Sequence, residues 1–341
     1  MNKLNELEVT SELAENEMPP VAGNTNYKIW NEDCIIGSKK IADGSVKLIL
    51  CDSPFGLNET KFESIYNRDK TNIMAGYVEA PRDYDKFTLD WLTECKRILH
   101  DDGSMYLVSG WTNLSSFYKA IETLGLFEVN HIIWKFNFGV NTKNKFVSSH
   151  YHIFYLTKSE KAKRTFKGNC RFTQLDKDAN NRSLLYQDLE DVWVINKEFQ
   201  PGEVKNVNKL PNKLVEKIIE YSSNEGDIVC DFFMGNFTTA DCALRLGRKV
   251  IGFEINPVSY NYHIERISQI EFGIDLAEKT EIENPFFNQG KKLSDEEKTK
   301  INNRFTELAQ VYKTKKERVN VLSKEFGRGA FSINNIIKKA A

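Results

Sequence analysis

Two short segments carry residue types suited to chemistry, and their order along the chain matters. Asp52-Ser53-Pro54-Phe55 follows the apolar run at residues 46–51. The Asp52 carboxylate and the Ser53 main-chain carbonyl are two acceptors, the number needed to bind both hydrogens of an NH2 group and favour a pyramidal nitrogen. Pro54 stiffens the turn and Phe55 offers a ring face for stacking. Alone, this tetrapeptide is an ordinary proline turn after a strand. The second segment, Asp231-Phe232-Phe233-Met234-Gly235-Asn236-Phe237-Thr238-Thr239, follows Ile228-Val229-Cys230. It reads as a strand, a glycine-containing turn and a helix start, whose N–H groups suit a ligand carboxylate. Gly235 lets a ligand approach the backbone closely. Glu254 ends the next strand, where an acid in a Rossmann-like site accepts ribose hydroxyls. A lone glycine loop is commonplace, whereas a loop followed by that acid points to a nucleotide-like cofactor. Phe233, Asn236, Phe237, Thr238 and Asn256 complete this candidate set.

These segments need a sheet to bring them together, and the sequence supplies one. Residues 46–51 read as a buried parallel strand. Phe87, Trp91, Leu92, Cys95, Ile98 and Leu99 recur at helical spacing, with Asp101-Asp102-Gly103 as the stop. Strands are expected at 104–109, 129–134, 151–156, 228–230 and 249–253. Helices are expected at 113–124, capped by Gly125, at 211–221 and at 238–246. The alternation implies an α/β protein with a Rossmann-like, doubly wound sheet. Residues 1–26 read as a mobile acidic tail, 27–274 as the catalytic domain and 275–341 as a helical extension. Within that extension, residues 314–339 form either a small helix-turn-helix or a plain helical hairpin. Residues 56–82 are polar and read as a long loop, a candidate lid.

Composition sets the outer bounds. Forty per cent hydrophobic residues build a substantial core. No apolar run reaches the roughly 20 residues of a membrane helix, and no secretory signal opens the chain, so a cytoplasmic protein is expected. The six cysteines form no C-x-x-C pair and read as reduced core thiols. His150 and His152 alternate on a strand with no carboxylate or cysteine partner nearby, so no metal site is expected. The net charge of −1 conceals segregation. Residues 135–171 hold nine Lys/Arg against Glu160 alone, and residues 311–341 hold eight against two acids. Basic stretches of this kind suit phosphates.

With these residues in place, the chain resembles the β group of DNA amino-methyltransferases, in which the amine-holding motif precedes the cofactor motif. The similarity spans about residues 27–270. It rests on Asn31-Glu32-Asp33-Cys34, Asn130-His131-Ile132-Ile133-Trp134-Lys135, Lys209-Leu210-Pro211-Asn212-Lys213 and residues 246–254, together with the two motifs above. The resemblance implies a mixed sheet with circularly permuted motif order and S-adenosylmethionine as cofactor. It implies that Asp33 and Cys34 meet the cofactor adenine. The substrate implied is double-stranded DNA with the target base flipped out. Asp52 at the first motif position points to adenine N6; cytosine-N4 methylation is the alternative. A target-recognition region is expected within 137–208, with Lys143, Lys145, Lys158, Arg164 and Arg171 on phosphates and Trp134 near the flipped base. A cognate restriction endonuclease and a homodimer are the implied partners. Two positions depart from the pattern. Ser53 replaces a proline but keeps its carbonyl. Phe237 stands where the family has a second glycine. Positive φ is costly there, so Phe237 is expected to pack against the cofactor or to weaken its binding. A non-catalytic DNA-binding protein with a decayed cofactor pocket is the reading Phe237 supports.

Overall fold

Residues 48–51 are apolar without a break because their strand is covered on both faces. In the computed structural model, which describes residues 25–56, 80–137, 139, 143–197, 209–278, 288 and 291–338, that strand lies inside an eight-stranded sheet. The strands are β1 (Tyr27–Trp30), β2 (Val46–Asp52), β3 (Leu99–Ser109), β4 (Phe127–Lys135), β5 (His150–Thr157), β6 (Val192–Val194), β7 (Ile228–Asp231) and β8 (Lys249–Phe253). Their order is β1-β8-β7-β2-β3-β5-β4-β6. Every neighbouring pair is parallel except the two that involve β5, so the sheet is mixed.

Alternate side chains of β2 enter two separate cores. Leu48 and Leu50 pack with α5 (Asn212–Ser222), α6 (Thr238–Arg245) and α7 (Pro257–Ser268). Ile49 and Cys51 pack with α1 (Cys34–Gly37), α2 (Tyr84–Ile98) and α3 (Leu114–Leu124). This is the doubly wound arrangement that the sequence implies. Gly125 caps α3 at φ 62, a left-handed turn that glycine adopts without steric cost. Asp101-Asp102-Gly103 does not end α2 as expected. The helix stops at Ile98, and β3 starts at once with Leu99, which is fully buried. Burial of Leu99 outweighs the turn character of the residues after it.

The remaining helices are α4 (Leu184–Leu189), α8 (Ile274–Glu278), α9 (Asp295–Glu307), α10 (Lys315–Glu325) and α11 (Ala330–Lys338). The last three share a small core of their own around Ile301, Leu322 and Ile333. The expected target-recognition region within 137–208 contains α4 and β6. The expected tail before residue 25 and the expected long loop between Gly56 and Ala80 lie outside the described residues.

Candidate active site

The two motifs meet because β2 and β7 are neighbours. β7 continues through α6 to β8 on one side, and β2 continues through α2 to β3 on the other. The chain therefore leaves the two strands in opposite directions, and the crevice at their carboxyl ends is the topological switch point, where open α/β sheets bind ligands. Ile49 pairs with Cys230, and the Phe232 N–H reaches the Cys51 sulfur at 3.5 Å. Asp52 and Asp231 thus end adjacent strands. Glu254 directly follows β8, and Asn31 to Asp33 follow β1, which pairs with β8.

The Asp52 turn is fixed from outside. Tyr84 at the start of α2 donates its hydroxyl to the Pro54 carbonyl at 2.9 Å, and the Asn113 amide donates to the Phe55 carbonyl. The Ser53 carbonyl takes no part in these bonds. Gly56 sits at φ +63 directly against the Tyr84 ring, so a side chain there would displace the turn. Asp52 Oδ1 is buried and accepts no hydrogen bond among the described residues. Burial pushes the Asp52 carboxyl up to about 7, opposed by the charge of Lys197 and reinforced by Asp231. An unpartnered buried acceptor at the carboxyl end of β2, by the switch point, is what an amine ligand requires.

An aromatic cluster stands beside that carboxylate. Tyr151 packs edge-on to Phe55 with ring centres 5.3 Å apart, and it also meets Phe136 at 5.2 Å and Trp134 at 5.6 Å. The Lys197 ammonium lies 5.4 Å from both the Phe136 and the Tyr151 ring centres. Sequence reasoning missed Tyr84, Asn113, Gly56, Tyr151 and Lys197. Gly56, directly after the motif, was the one readable signal; the others come from distant strands and helices.

The cofactor loop departs from expectation at three residues. Asp231 is turned inward: its oxygens accept from the Phe233 N–H at 2.9 Å and the Thr239 hydroxyl at 2.7 Å. It braces the loop. Phe237 adopts the costly conformation after all, at φ 59, and its ring is fully buried against His263 and Tyr260. It packs into the core beneath the loop, and that burial offsets the backbone strain. Phe233 packs against Phe87 and Trp91.

Glu254 accepts from the N–H groups of Gly235 and Asn256, each at 2.7 Å, and its carboxyl is pushed up to about 7 by burial. Each oxygen keeps a second lone pair for a hydroxyl donor. Asp33 caps α1 through the N–H groups of Ile35 and Ile36, and Cys34 is buried behind it. Asn256 caps α7, and Thr238 opens α6. Asn236 is half-exposed on the rim, while exposed Ile36 and Ile255 flank the acids. An acid with apolar neighbours and the open face of Gly235 fit a nucleoside with a charged tail.

The expected DNA contacts divide by end of the sheet. Because β5 runs backwards, its start faces the crevice and its end lies at the opposite edge. Lys143 and Lys145 lie in the segment between β4 and β5, on the crevice side, and are exposed. Lys158 follows the end of β5 and pairs with Asp101 near the start of β3. Arg164 donates to the Tyr155 hydroxyl. Arg171 pairs with Asp188 and with Glu220 near the end of α5. These three take part in ion pairs and hydrogen bonds at the edge opposite the crevice, so the structure does not bring them together with Lys143 and Lys145. Trp134 is 1% exposed, its indole N–H donates to the Ile195 carbonyl, and its ring backs Tyr151 in the aromatic cluster. His152 is pushed down to about 4 by burial and by His131 and His150, and its ring hydrogen-bonds His131 at 2.8 Å. Among the described residues no group of three potential ligands is placed to hold a metal ion, and no helix is long and apolar enough to cross a membrane.

A permuted, doubly wound sheet with an acceptor turn and an acid-lined loop at one switch point defines a class: the S-adenosylmethionine-dependent methyltransferase fold. Comparison with known proteins narrows it. The family model described as DNA methylase matches residues 46–265. The DNA adenine methyltransferase YhdJ of Escherichia coli (strain K12) is 31% identical over 258 residues, which are 70% of this chain and 81% of that protein. The Type II methyltransferase M.BamHI of Bacillus amyloliquefaciens is 30% identical over 67% of this chain and 54% of its own length. Two solved structures share the fold at 19% identity, each over 72% of this chain. The cytosine-N4-specific PvuII DNA methyltransferase does so with a TM-score of 0.53 over 91% of its length, and the M1.HpyAVI–SAM complex with 0.50 over 100%. The chain belongs to the DNA methylase family, the amino-methyltransferases of DNA that draw their methyl group from S-adenosylmethionine.

Proposed function

We propose that this protein methylates adenine N6 at specific sites in double-stranded DNA. The observation that carries the reading is the adjacency of the unpartnered Asp52 acceptor and the Gly235–Glu254 loop across the β2/β7 switch point. Asp52 at the first motif position and the likeness to an adenine methyltransferase support adenine over cytosine.

S-adenosylmethionine, when bound, supplies a methyl group on a sulfonium, which needs no activation by the protein. Glu254, Asp33 and the Gly235 turn would hold its nucleoside and tail. The work left to the chain is to present the amine. Asp52 and the Ser53 carbonyl each accept one N–H, which turns the nitrogen lone pair out of conjugation. Pro54 and the bonds from Tyr84 and Asn113 keep both acceptors in place before the base arrives, so little reorganisation is needed. Phe55 and the Tyr151 ring stack on the flipped base. The Lys197 charge favours the ionised form of Asp52 against the opposing effect of burial. Lys143 and Lys145 meet phosphates on the crevice side.

The remaining parts of the proposal are a cytoplasmic location, a homodimer and a cognate restriction endonuclease. The last is supported by the likeness to a protein named as a type II methyltransferase. Mass analysis of nucleosides from duplex DNA treated with protein and S-adenosylmethionine tests the function. N6-methyladenine is expected. N4-methylcytosine in its place would overturn the base assignment, and neither product would favour a non-catalytic DNA-binding protein.

A further inference from the structure

The chain does not end at the methyltransferase sheet. Helices α9, α10 and α11 enclose a separate core of Ile301, Leu308, Val319, Leu322, Ile333 and Ile336. The connection from α10 to α11 is four residues, Phe326 to Gly329, with Gly327 at φ 59. Arg328 in this turn is 5% exposed and fixes it firmly. It makes two bonds to Glu297 on α9, at 2.6 and 2.8 Å, and donates to the carbonyls of Asn288 and Lys291. Thr314 and Glu317 form a capping box at the start of α10. Two helices joined by a short glycine turn and braced by a third is the plan of a helix-turn-helix unit.

Its surface is unlike that of a helical hairpin that merely covers a core. Ile333, Ile336 and Ile337 of α11 are buried, yet Phe331 in its first turn is 81% exposed. Asn335 is exposed one turn further along, and Ser332 and Asn334 are half-exposed. Such an apolar ring gains nothing by facing water, and the polar residues around it are types that read base edges. The charge is one-sided. Glu317 is held by the capping box and Glu325 by Arg304. Exposed Lys313, Lys315, Lys316 and Lys324 enter no ion pair among the described residues. Three of these four surround the start of α10, where the first helix of such a unit crosses the phosphate backbone. Gly329 in the turn lies beside Gln174, in the segment that leads to α4 and β6, the sheet edge next to the loop bearing Lys143 and Lys145.

We propose that α10 and α11 form a second DNA-contact surface. In it, Phe331, Ser332 and Asn335 on α11 enter the major groove, and the lysines at the start of α10 bind the flanking phosphates. This rests on DNA being the substrate, and it extends recognition beyond the crevice at the sheet. Phe331 would lie against a thymine methyl and Asn335 against an adenine edge.

The test is DNA binding by the full-length chain, read by fluorescence anisotropy on a mixed-sequence duplex of roughly 40 base pairs over a salt series. One variant is Phe331→Ala with Asn335→Ala; the other is Lys315→Glu with Lys316→Glu. Each should weaken binding about tenfold, and the lysine variant should flatten the slope of log K against log salt by about 2. Both should keep wild-type melting temperature and wild-type turnover at saturating DNA. Affinities and slopes within twofold of wild type in both variants would overturn the inference. So would an equal loss of turnover at saturating DNA, since that places the helices in the catalytic step. Binding is read without turnover, so an inactive but DNA-binding protein would refute the proposed function and leave this inference standing.

Discussion

Replacing Asp52 with asparagine should abolish methylation and yet stabilise the protein at alkaline pH. The Asp52 carboxyl is pushed from 3.8 to about 7 by burial. A carboxyl with a raised folded pKa binds its proton more tightly in the native state than in the unfolded state. Its stabilising contribution is therefore present below the unfolded value and is lost as pH rises through the folded one. The shift is about three units, or about 4 kcal/mol at full ionisation, an upper bound because local relaxation reduces it. Asparagine keeps the shape but cannot ionise, so it escapes that cost. Its advantage over wild type should grow by about 3 kcal/mol between pH 5 and pH 8.5, equivalent to several degrees in melting temperature. The assay is thermal unfolding of both proteins, free of cofactor and DNA, at those two pH values. A melting difference that does not change with pH would refute the reasoning, because it would mean that Asp52 is not a buried titrating carboxylate.

Lys197→Met keeps an apolar stem against Phe136 and Tyr151 but removes the charge that opposes the upward shift of Asp52. The acid limb of kcat/KM, expected near pH 7, should move up by on the order of one unit, with activity recovering by pH 9; a pH–rate profile reports it. Phe237→Gly relieves about 1 kcal/mol of left-handed strain but forfeits a buried ring worth about 3–5 kcal/mol. Urea unfolding should show a net loss of about 2–4 kcal/mol, and a gain in stability would mean that the ring is not core. Gly56→Ala should lower kcat at least about tenfold, because the new methyl collides with Tyr84 and shifts both acceptors. Cofactor binding measured by calorimetry should remain within twofold.

How much of this was legible depended on the range of each signal. The two motifs and Glu254 could be read because each belongs to a strand end, and strand ends are visible in local patterns of burial. The strands β2, β3, β4, β5, β7 and β8 announced themselves in the same way, and Gly125 marked its helix end. The end of α2 was misplaced because turn residues at 101–103 lie inside a strand that begins with buried Leu99. Lys197 was invisible: its partner is 145 residues away, and only the pairing of β6 with β4 brings it to Phe136 and Tyr151. The placement of the basic stretch at 158–171 was not legible for a related reason. Local charge says that a residue is cationic, but not that the reversed direction of β5 carries it to the far edge. Phe237 misled in another way, because backbone strain was readable while the ring pocket of Tyr260 and His263 was not.

The account depends most on Asp52 as a holder of the base amine. Purified wild type and Asp52→Ala should be incubated with duplex DNA and methyl-labelled S-adenosylmethionine, and N6-methyladenine quantified. The account predicts label in adenine for wild type and at least a thousandfold less for the variant, about 4 kcal/mol of barrier, with cofactor affinity unchanged. N6-methyladenine formed by Asp52→Ala at the wild-type rate would contradict it.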